Sequence, residues 1–155
     1  MLEARGTVEE TKLLQNALSG IKSISDVKLT AMYDPQSGIL SITWKGEVNS
    51  FELRQGYMRI TELVRLHKPQ KWFLNLRDRS EVSEEDRRWI FKYIFPKALR
   101  IVGENIYLAV LLPVYAYQGL IHYLSGDELI YKDNFMIIEH FLLQDDSMNW
   151  LASVV

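Results

Sequence analysis

The sequence KWFLNLRDRSEVSEEDRRWI, residues 71–90, decides the fold. Its beginning, 72–76, is short and almost continuously apolar, which is typical of a strand covered on both faces. After Ser83, the apolar residues Trp89 and Ile90 open a pattern with helical spacing. A strand that leads into a helix through a polar loop favours an open α/β sheet, and such sheets place their sites at the carboxyl ends of the strands. We therefore expect a functional surface at 77–88.

The composition is that of an ordinary globular domain. The chain has 155 residues, of which 48% are hydrophobic and 25% are charged, so one domain with a core of its own is expected. The formal net charge is −2, from 18 basic and 20 acidic residues. This balance gives no general attraction to nucleic acid or to an anionic membrane.

The absence of cysteine excludes disulfides, thiolate catalysis and cysteine-bound zinc. The first residues lack the basic and then apolar pattern of a secretory signal. No apolar run approaches the ~18–20 residues that a membrane helix needs. We therefore expect a cytoplasmic protein without a membrane span.

The periodicity predicts a mixed sheet of about five strands covered by helices, with an N-terminal hairpin followed by βα crossovers. Residues 1–26 are expected to form a helical appendage, and 27–155 the domain.

Pro96 predicts a kink or break near Phe95. The final helix is expected to be capped by Asp145-Asp146-Ser147. Strands are expected at 27–33, 39–45, 71–76, 106–112 and 135–143, with the third and fourth in the middle, and further helices at 51–67 and 115–124.

Several short features of residues 27–151 resemble a known family. They are Tyr33-Asp34 before a turn, the strand 40–46, the strand end Leu76-Arg77-Asp78, the helix from Ser83 to Phe95-Pro96, and the terminal Trp150-Leu151. With this order of elements, the chain resembles the STAS fold of sporulation anti-sigma-factor antagonists. More narrowly, it is similar to the SpoIIAA-like (STAS/SEC14-like) proteins that are common in Bacteroidetes.

The resemblance implies a non-enzymatic regulatory or protein-interaction module. Its partner would be another protein, such as a regulatory kinase or an anti-sigma-like factor. In phospho-regulated STAS domains, a serine or threonine between the central strand and the next helix is phosphorylated. By position the candidate here is Ser83, with Ser80 second. The partner-binding residues would then be Arg77, Asp78, Arg79, Ser83, Arg87 and Arg88.

The same residues also have structural interpretations. Ser83 is placed to cap a helix, with its hydroxyl accepting from an amide two or three residues ahead. The carboxylates of Glu81, Glu84, Glu85 and Asp86 would complement the helix macrodipole in its first turn. The interleaved arginines and acids would pair with one another in solvent.

No pattern in the sequence indicates an enzyme. The histidines His67, His122 and His140 are scattered and share no metal-ligand spacing. No phosphate-binding loop, nucleophile elbow or dinucleotide fingerprint occurs. We therefore predict neither a catalytic residue nor a metal or other cofactor.

Tyrosines concentrate in the second half of the chain. They are expected to pack in the core and at its rim, or to form a dimer or partner surface, or to line an apolar pocket beneath the helix 115–124. The last alternative matches a small-ligand or lipid carrier, which the SEC14-like resemblance implies, and it requires a cavity of ~300 Å³ or more. The residues concerned are Tyr107, Tyr115, Tyr117 and Tyr123, with Tyr131 nearby.

Overall fold

The computed structural model describes residues 23–113, 128–131 (backbone only) and 133–154, and these form a mixed α/β sheet with helices on both faces. The strands run in the order β1-β2-β3-β4-β5-β7-β6. Their bounds are Ser23–Ser25 (β1), Leu29–Asp34 (β2), Ile39–Gly46 (β3), Lys71–Arg79 (β4), Ile106–Leu111 (β5), Glu128–Tyr131 (β6) and Asn134–Phe141 (β7).

The pairing of the strands follows from their connections. β2 and β3 form an antiparallel hairpin across the turn at Asp34, whose carboxylate accepts from the backbone N–H of Gln36 and the hydroxyl of Ser37. Gly38 adopts φ 72° there, a conformation that glycine reaches without strain. The pairs β3–β4, β4–β5 and β5–β7 are parallel. The predicted hairpin, parallel crossovers and central position of β4 and β5 are therefore confirmed.

Helix α1 (Ser50–His67) follows β3 and is well specified by its sequence. Asn49 accepts from the backbone N–H of Glu52, while the Glu52 carboxylate accepts from that of Asn49, which completes a capping box. The helix ends at Lys68, which has φ 45° and precedes Pro69. The stripe predicted to face the core is buried, and it consists of Leu53, Tyr57, Ile60 and Val64.

The connection between β4 and β5 is a continuous but irregular helical segment. It comprises α2 (Glu84–Trp89), a π-helical turn at Ile90–Ile94, and α3 (Phe95–Val102). Pro96 lies in the first turn of α3, where its missing N–H is tolerated. The irregularity expected near Phe95 is thus present as a change of helix type. Helix α4 (Gln144–Ser153) follows β7.

Two apolar clusters occupy the two faces of the sheet. The larger lies beneath α1, the π-helical turn and α3, and contains Trp44, Trp72 and Leu108. The smaller lies beneath α4, where Phe73, Ala109 and Leu111 meet Leu151. Successive residues of β4 and β5 point to opposite faces, so their continuous apolar runs are explained by burial on both sides.

Three expectations need correction. The sheet has seven strands instead of about five, because β1 and β6 are too short to give a clear period. β4 continues through 77–79, which pair with the end of β3 and are not in a loop. α4 begins at Gln144 and is preceded by Leu143, so the Asp145-Asp146-Ser147 side chains lie inside the helix and are not its cap. Ser147 is instead buried and donates to the Leu143 carbonyl.

The expected helices at the N-terminus and at 115–124 lie outside the described residues. β1 pairs with β2 inside the range assigned to the appendage, so the sheet starts before residue 27. The division into an appendage and a domain stays a prediction. Among the helices that the structure describes, none is both long and apolar enough to cross a bilayer.

Candidate functional site

A cavity of about 530 Å³ lies at the carboxyl ends of β4, β5 and β7, on the face of the sheet that carries α1. Side chains from these three strands form its floor. The start of α2 and the π-helical turn form a wall, and Tyr57 of α1 contributes from the other side. This is the edge where an open α/β sheet accommodates ligands, and its volume is in the range of small-molecule sites.

The interior of the cavity is predominantly apolar. Leu108, Val110 and Leu112 reach it from β5 and the residues just after it, and each is at most 5% exposed. These aliphatic side chains make the deep part of the cavity suited to apolar groups. Other apolar lining residues are Leu74, Leu76, Val82, Ile90, Phe91, Phe95, Pro113 and Ile138.

Charged side chains surround the mouth of the cavity. Arg79 comes from the end of β4, Glu81 from the following loop, and Glu84, Arg87 and Arg88 from α2. Glu84 and Arg88 form an ion pair of 2.8 Å at i,i+4 spacing. The other three charges lie beside this pair, so the mouth combines both signs.

Ser83 fixes the start of α2 beside this mouth. Its hydroxyl oxygen accepts from the backbone N–H of Asp86 at 3.1 Å, which is an N-cap hydrogen bond. The predicted capping role of Ser83 is confirmed. Whether Ser83 is phosphorylated stays a prediction.

Asp86 has a different role from the other acids of α2. It is 3% exposed, and its Oδ2 accepts from the hydroxyl of Ser50 at 2.7 Å. Its Oδ1 lies 3.8 Å from the Nε of Arg54, whose guanidinium also stands over the Trp89 ring at 5.1 Å. The prediction that Asp86 only complements the helix dipole was therefore incomplete, because this carboxylate joins the start of α2 to the start of α1.

Besides the charged residues at the mouth, two titratable residues line the cavity, His140 and Tyr57, and both are neutral near pH 7. Burial lowers the pKa of His140 to about 4, so its imidazole is uncharged. Burial also raises the pKa of the Tyr57 hydroxyl, against smaller opposing effects of the Arg79 charge and the Trp44 side chain. Both side chains can form hydrogen bonds, but neither brings a formal charge into the cavity.

The structure brings together part of the predicted partner-binding set. Ser80, Arg79, Arg87 and Arg88 line the mouth of the cavity. The Arg77 guanidinium instead reaches the Leu142 carbonyl at 3.5 Å, near the start of α4. Asp78 is exposed on β4 and pairs in register with Lys45.

Tyr107, the member of the predicted tyrosine-lined pocket whose side chain the structure describes, does not line the cavity described above, and the prediction of that pocket stays a prediction. Tyr107 lies on the α4 face, where its ring meets Trp150 edge-on at a centroid distance of 6.2 Å. Tyr115, Tyr117 and Tyr123 lie outside the described residues, and so does the side chain of Tyr131. The cavity belongs to the opposite face of the sheet.

Sequence reasoning missed several residues of the cavity. Tyr57 was expected only as core, and His140 was set aside as one of three scattered histidines. The available signal was indirect: His140 is close to the carboxyl end of a strand that pairs in parallel with β5, opposite Val110. In the described ranges, no three histidine, aspartate or glutamate side chains come together to hold a metal ion.

Comparison with solved structures gives a match of low identity. The chain is similar to an uncharacterized protein of the DUF3478 family with a SpoIIAA-like fold from Shewanella loihica PV-4. The TM-score is 0.47 and the sequence identity 10%, over 83% of this chain and 98% of the other. No family model and no curated protein matches the sequence. The fold named for this neighbour is the one that the sequence resemblance predicts, while the narrower likeness to Bacteroidetes proteins stays a prediction.

Proposed function

We propose that this protein is a non-enzymatic binding module whose cavity holds a small ligand with an apolar part. The observation that carries the proposal is the cavity of about 530 Å³ with its apolar lining. A pocket of this size and character can bury most of a small molecule. The sequence adds support because it contains no catalytic motif.

The position of the cavity also supports a binding role. Its floor comes from three neighbouring parallel strands, and its wall includes a π-helical turn. Such turns are rare and occur frequently at functional sites. Its apolar lining belongs to the core cluster that also contains Trp44 and Leu53, so the cavity is bounded by well-packed residues.

The proposal can be tested with the neutral apolar fluorophore phenylnaphthylamine. We expect its fluorescence to rise on binding to the protein and this rise to be lost in Val110→Phe, because the larger ring would occupy the cavity. Phe51→Ala is a suitable control, since Phe51 is 72% exposed on α1 and is not among the lining residues described above. Binding that survives Val110→Phe but is lost in Phe51→Ala would show surface adhesion and contradict the proposal.

A second function, recognition of a partner protein, is favoured by a different observation. The start of α2 exposes Ser83 and Arg88, and the mouth of the cavity presents both charge signs. A phosphate on Ser83 would replace its cap and add about two negative charges beside Glu84 and Glu85, so it would change this surface strongly. Such a partner would be a regulatory kinase or an anti-sigma-like factor.

Partner recognition is tested by measuring the affinity for proteins encoded nearby with Arg77→Ala, Ser83→Glu and Arg88→Ala. We expect at least one of these variants to weaken binding tenfold or more, on the order of 1.4 kcal/mol. Unchanged affinity in all three would remove this surface from consideration.

A further inference from the structure

We infer that the ligand carries an uncharged hydroxyl group, of an alcohol or a phenol, that contacts the His140 imidazole while the apolar part of the ligand fills the cavity. His140 is then the residue that selects the ligand by its polar group. This inference rests on the proposed ligand-binding function and adds the chemical class of the ligand and its orientation.

His140 occupies a position in the floor of the cavity where its neighbours are aliphatic. In the parallel pair of β5 and β7, His140 lies opposite Val110, and Ile138 lies opposite Leu108. All four line the cavity, since alternate residues of a strand face the same side. The three aliphatic residues are at most 8% exposed, whereas His140 is half-buried. Among the described lining residues of these two strands, His140 is therefore the polar one, and part of its ring is accessible.

The imidazole of His140 has unused hydrogen-bonding capacity. No described residue donates a hydrogen bond to it or accepts one from it, and burial is the cause that lowers its pKa to about 4. The ring is therefore neutral near pH 7, with one N–H donor and one acceptor nitrogen. A ligand that fills the cavity excludes water from this ring, so the ring is left unsatisfied unless the ligand brings a hydrogen-bonding group of its own.

The surroundings of His140 favour an uncharged group on the ligand. An ionised carboxylate or ammonium among Leu108, Val110 and Ile138 would lose its hydration without gaining an opposite charge. The charged lining residues come from the end of β4, the loop after it and α2, and β5 separates the backbone of β4 from that of β7 by roughly 10 Å. A hydroxyl group can donate or accept, so it can pair with whichever ring nitrogen faces the cavity.

The experiment is a displacement titration of protein-bound phenylnaphthylamine near pH 7 with two matched pairs of compounds. Naphthol is compared with methylnaphthalene, and naphthalenemethanol with ethylnaphthalene, so that a phenol and an alcohol are each measured against a hydrocarbon of the same shape. The ratio of the two dissociation constants in a pair isolates the hydroxyl group, because the contribution of the rings cancels. In at least one pair, His140→Leu should shift this ratio about tenfold against the hydroxyl compound, which loses its buried partner.

Two further variants separate recognition from a structural effect. His140→Gln keeps a donor and an acceptor and should hold the ratio within about threefold of that of the unaltered protein. His67→Leu makes the same change as His140→Leu in a histidine that stacks on Tyr33 and is not among the lining residues, and it should leave the ratio unchanged. Circular dichroism checks that each variant is folded. In the unaltered protein, the naphthoate ion should bind more weakly than naphthol, because its charge is not matched beside a neutral imidazole.

The outcomes separate this inference from the function on which it rests. If the ratios in both pairs are the same in the unaltered protein and in His140→Leu, or shift equally in His67→Leu, the role of His140 is overturned and the ligand-binding function stands. If naphthoate binds more tightly than both hydroxyl compounds, the uncharged class of the ligand is overturned. If no compound displaces the fluorophore and Val110→Phe binds it as well as the unaltered protein, the proposed function itself fails.

Discussion

One face of the sheet is densely packed beneath α1 and open beneath the start of α2. Under α1, Gly56 allows the helix to approach so closely that a Cβ at this position would lie 2.9 Å from Cζ2 of Trp44 and 3.0 Å from Cδ2 of Leu29. Under α2 and the π-helical turn, the same face leaves about 530 Å³ unfilled. The comparison shows that the same face of the sheet combines a closely packed region with a cavity.

The largest effect is expected from Trp44→Ala, in the packed half. Trp44 is 1% exposed and its ring lies 5.5 Å from that of Tyr57. Removing it should lower the free energy of unfolding by about 3–5 kcal/mol, because the helix above cannot collapse fully into the space. Urea denaturation measures this loss, with Phe51→Ala as the exposed aromatic control, for which a change below ~0.5 kcal/mol is expected. Equal losses for the two would show that the α1 half is not closely packed.

A pair of enlarging substitutions tests the comparison directly. Gly56→Val in the packed half should destabilise the protein by about 1–3 kcal/mol through overpacking against Trp44. Val110→Phe also enlarges a buried side chain, in the open half, yet it should cost less than ~1 kcal/mol, because the ring can enter the cavity. Thermal and urea denaturation of both variants give the two values. If Val110→Phe is the more harmful change, the distinction between the two halves is wrong.

Asp86→Ala should destabilise the junction between the halves by about 1–3 kcal/mol. The substitution leaves the Ser50 hydroxyl, whose hydrogen bond is part-buried, and the Arg54 guanidinium without their acceptor. Glu85→Ala, which removes an exposed carboxylate from the next position, is the matched control and should change little. A similar free energy of unfolding for both variants would mean that Asp86 acts only through the helix dipole.

His140 should make the open half sensitive to acid. Its folded-state pKa is about 4, below the ordinary value of 6.5, so between these values the unfolded chain binds more protons than the folded protein. Stability is therefore complete above pH 6.5 and falls as the pH is lowered towards 4, by roughly 1–2 kcal/mol after allowance for the part of the ring that solvent reaches. His140→Gln should show a smaller loss in the same range. Parallel pH profiles for the two proteins would contradict the assignment.

The smallest effect is expected from Ser83→Ala, at the rim of the open half. Losing the cap of α2 should cost about 1 kcal/mol, and Ser83→Asp should recover most of it because aspartate caps equally well. Urea denaturation compares the three proteins. No difference between Ser83→Ala and Ser83→Asp would indicate that the helix start is held by Asp86 alone.

Much of the fold could be predicted from the sequence, because the spacing of apolar residues along a long segment indicates whether it is a helix or a strand and which side is buried. The stripe of α1 and the apolar runs of β4 and β5 are examples, and crossover handedness then fixes their neighbours. β1 could not be predicted, since Ser23, Ile24 and Ser25 show only one buried residue in three. β6, at the opposite edge of the sheet, has four residues, and four residues give no reliable period.

The location of the site was predictable in outline, and its composition was not. The carboxyl end of β4 was expected from the general rule for α/β sheets. The cavity, however, joins Tyr57 of α1, Val110 of β5 and His140 of β7, which are far apart in the chain. Strand register brings them together, and register depends on the whole sheet. Asp86 was misjudged for a similar reason, because its partner Ser50 lies 36 residues away.

The two outermost strands of the sheet, β1 with three residues and β6 with four, have a consequence for self-association. The edge of a sheet is a template on which another molecule can continue the hydrogen-bonded ladder, and its capacity grows with the length of the exposed strand. Edges as short as these offer few unpaired N–H and C=O groups. Growth into filaments by strand addition at these two edges of the described sheet is therefore disfavoured.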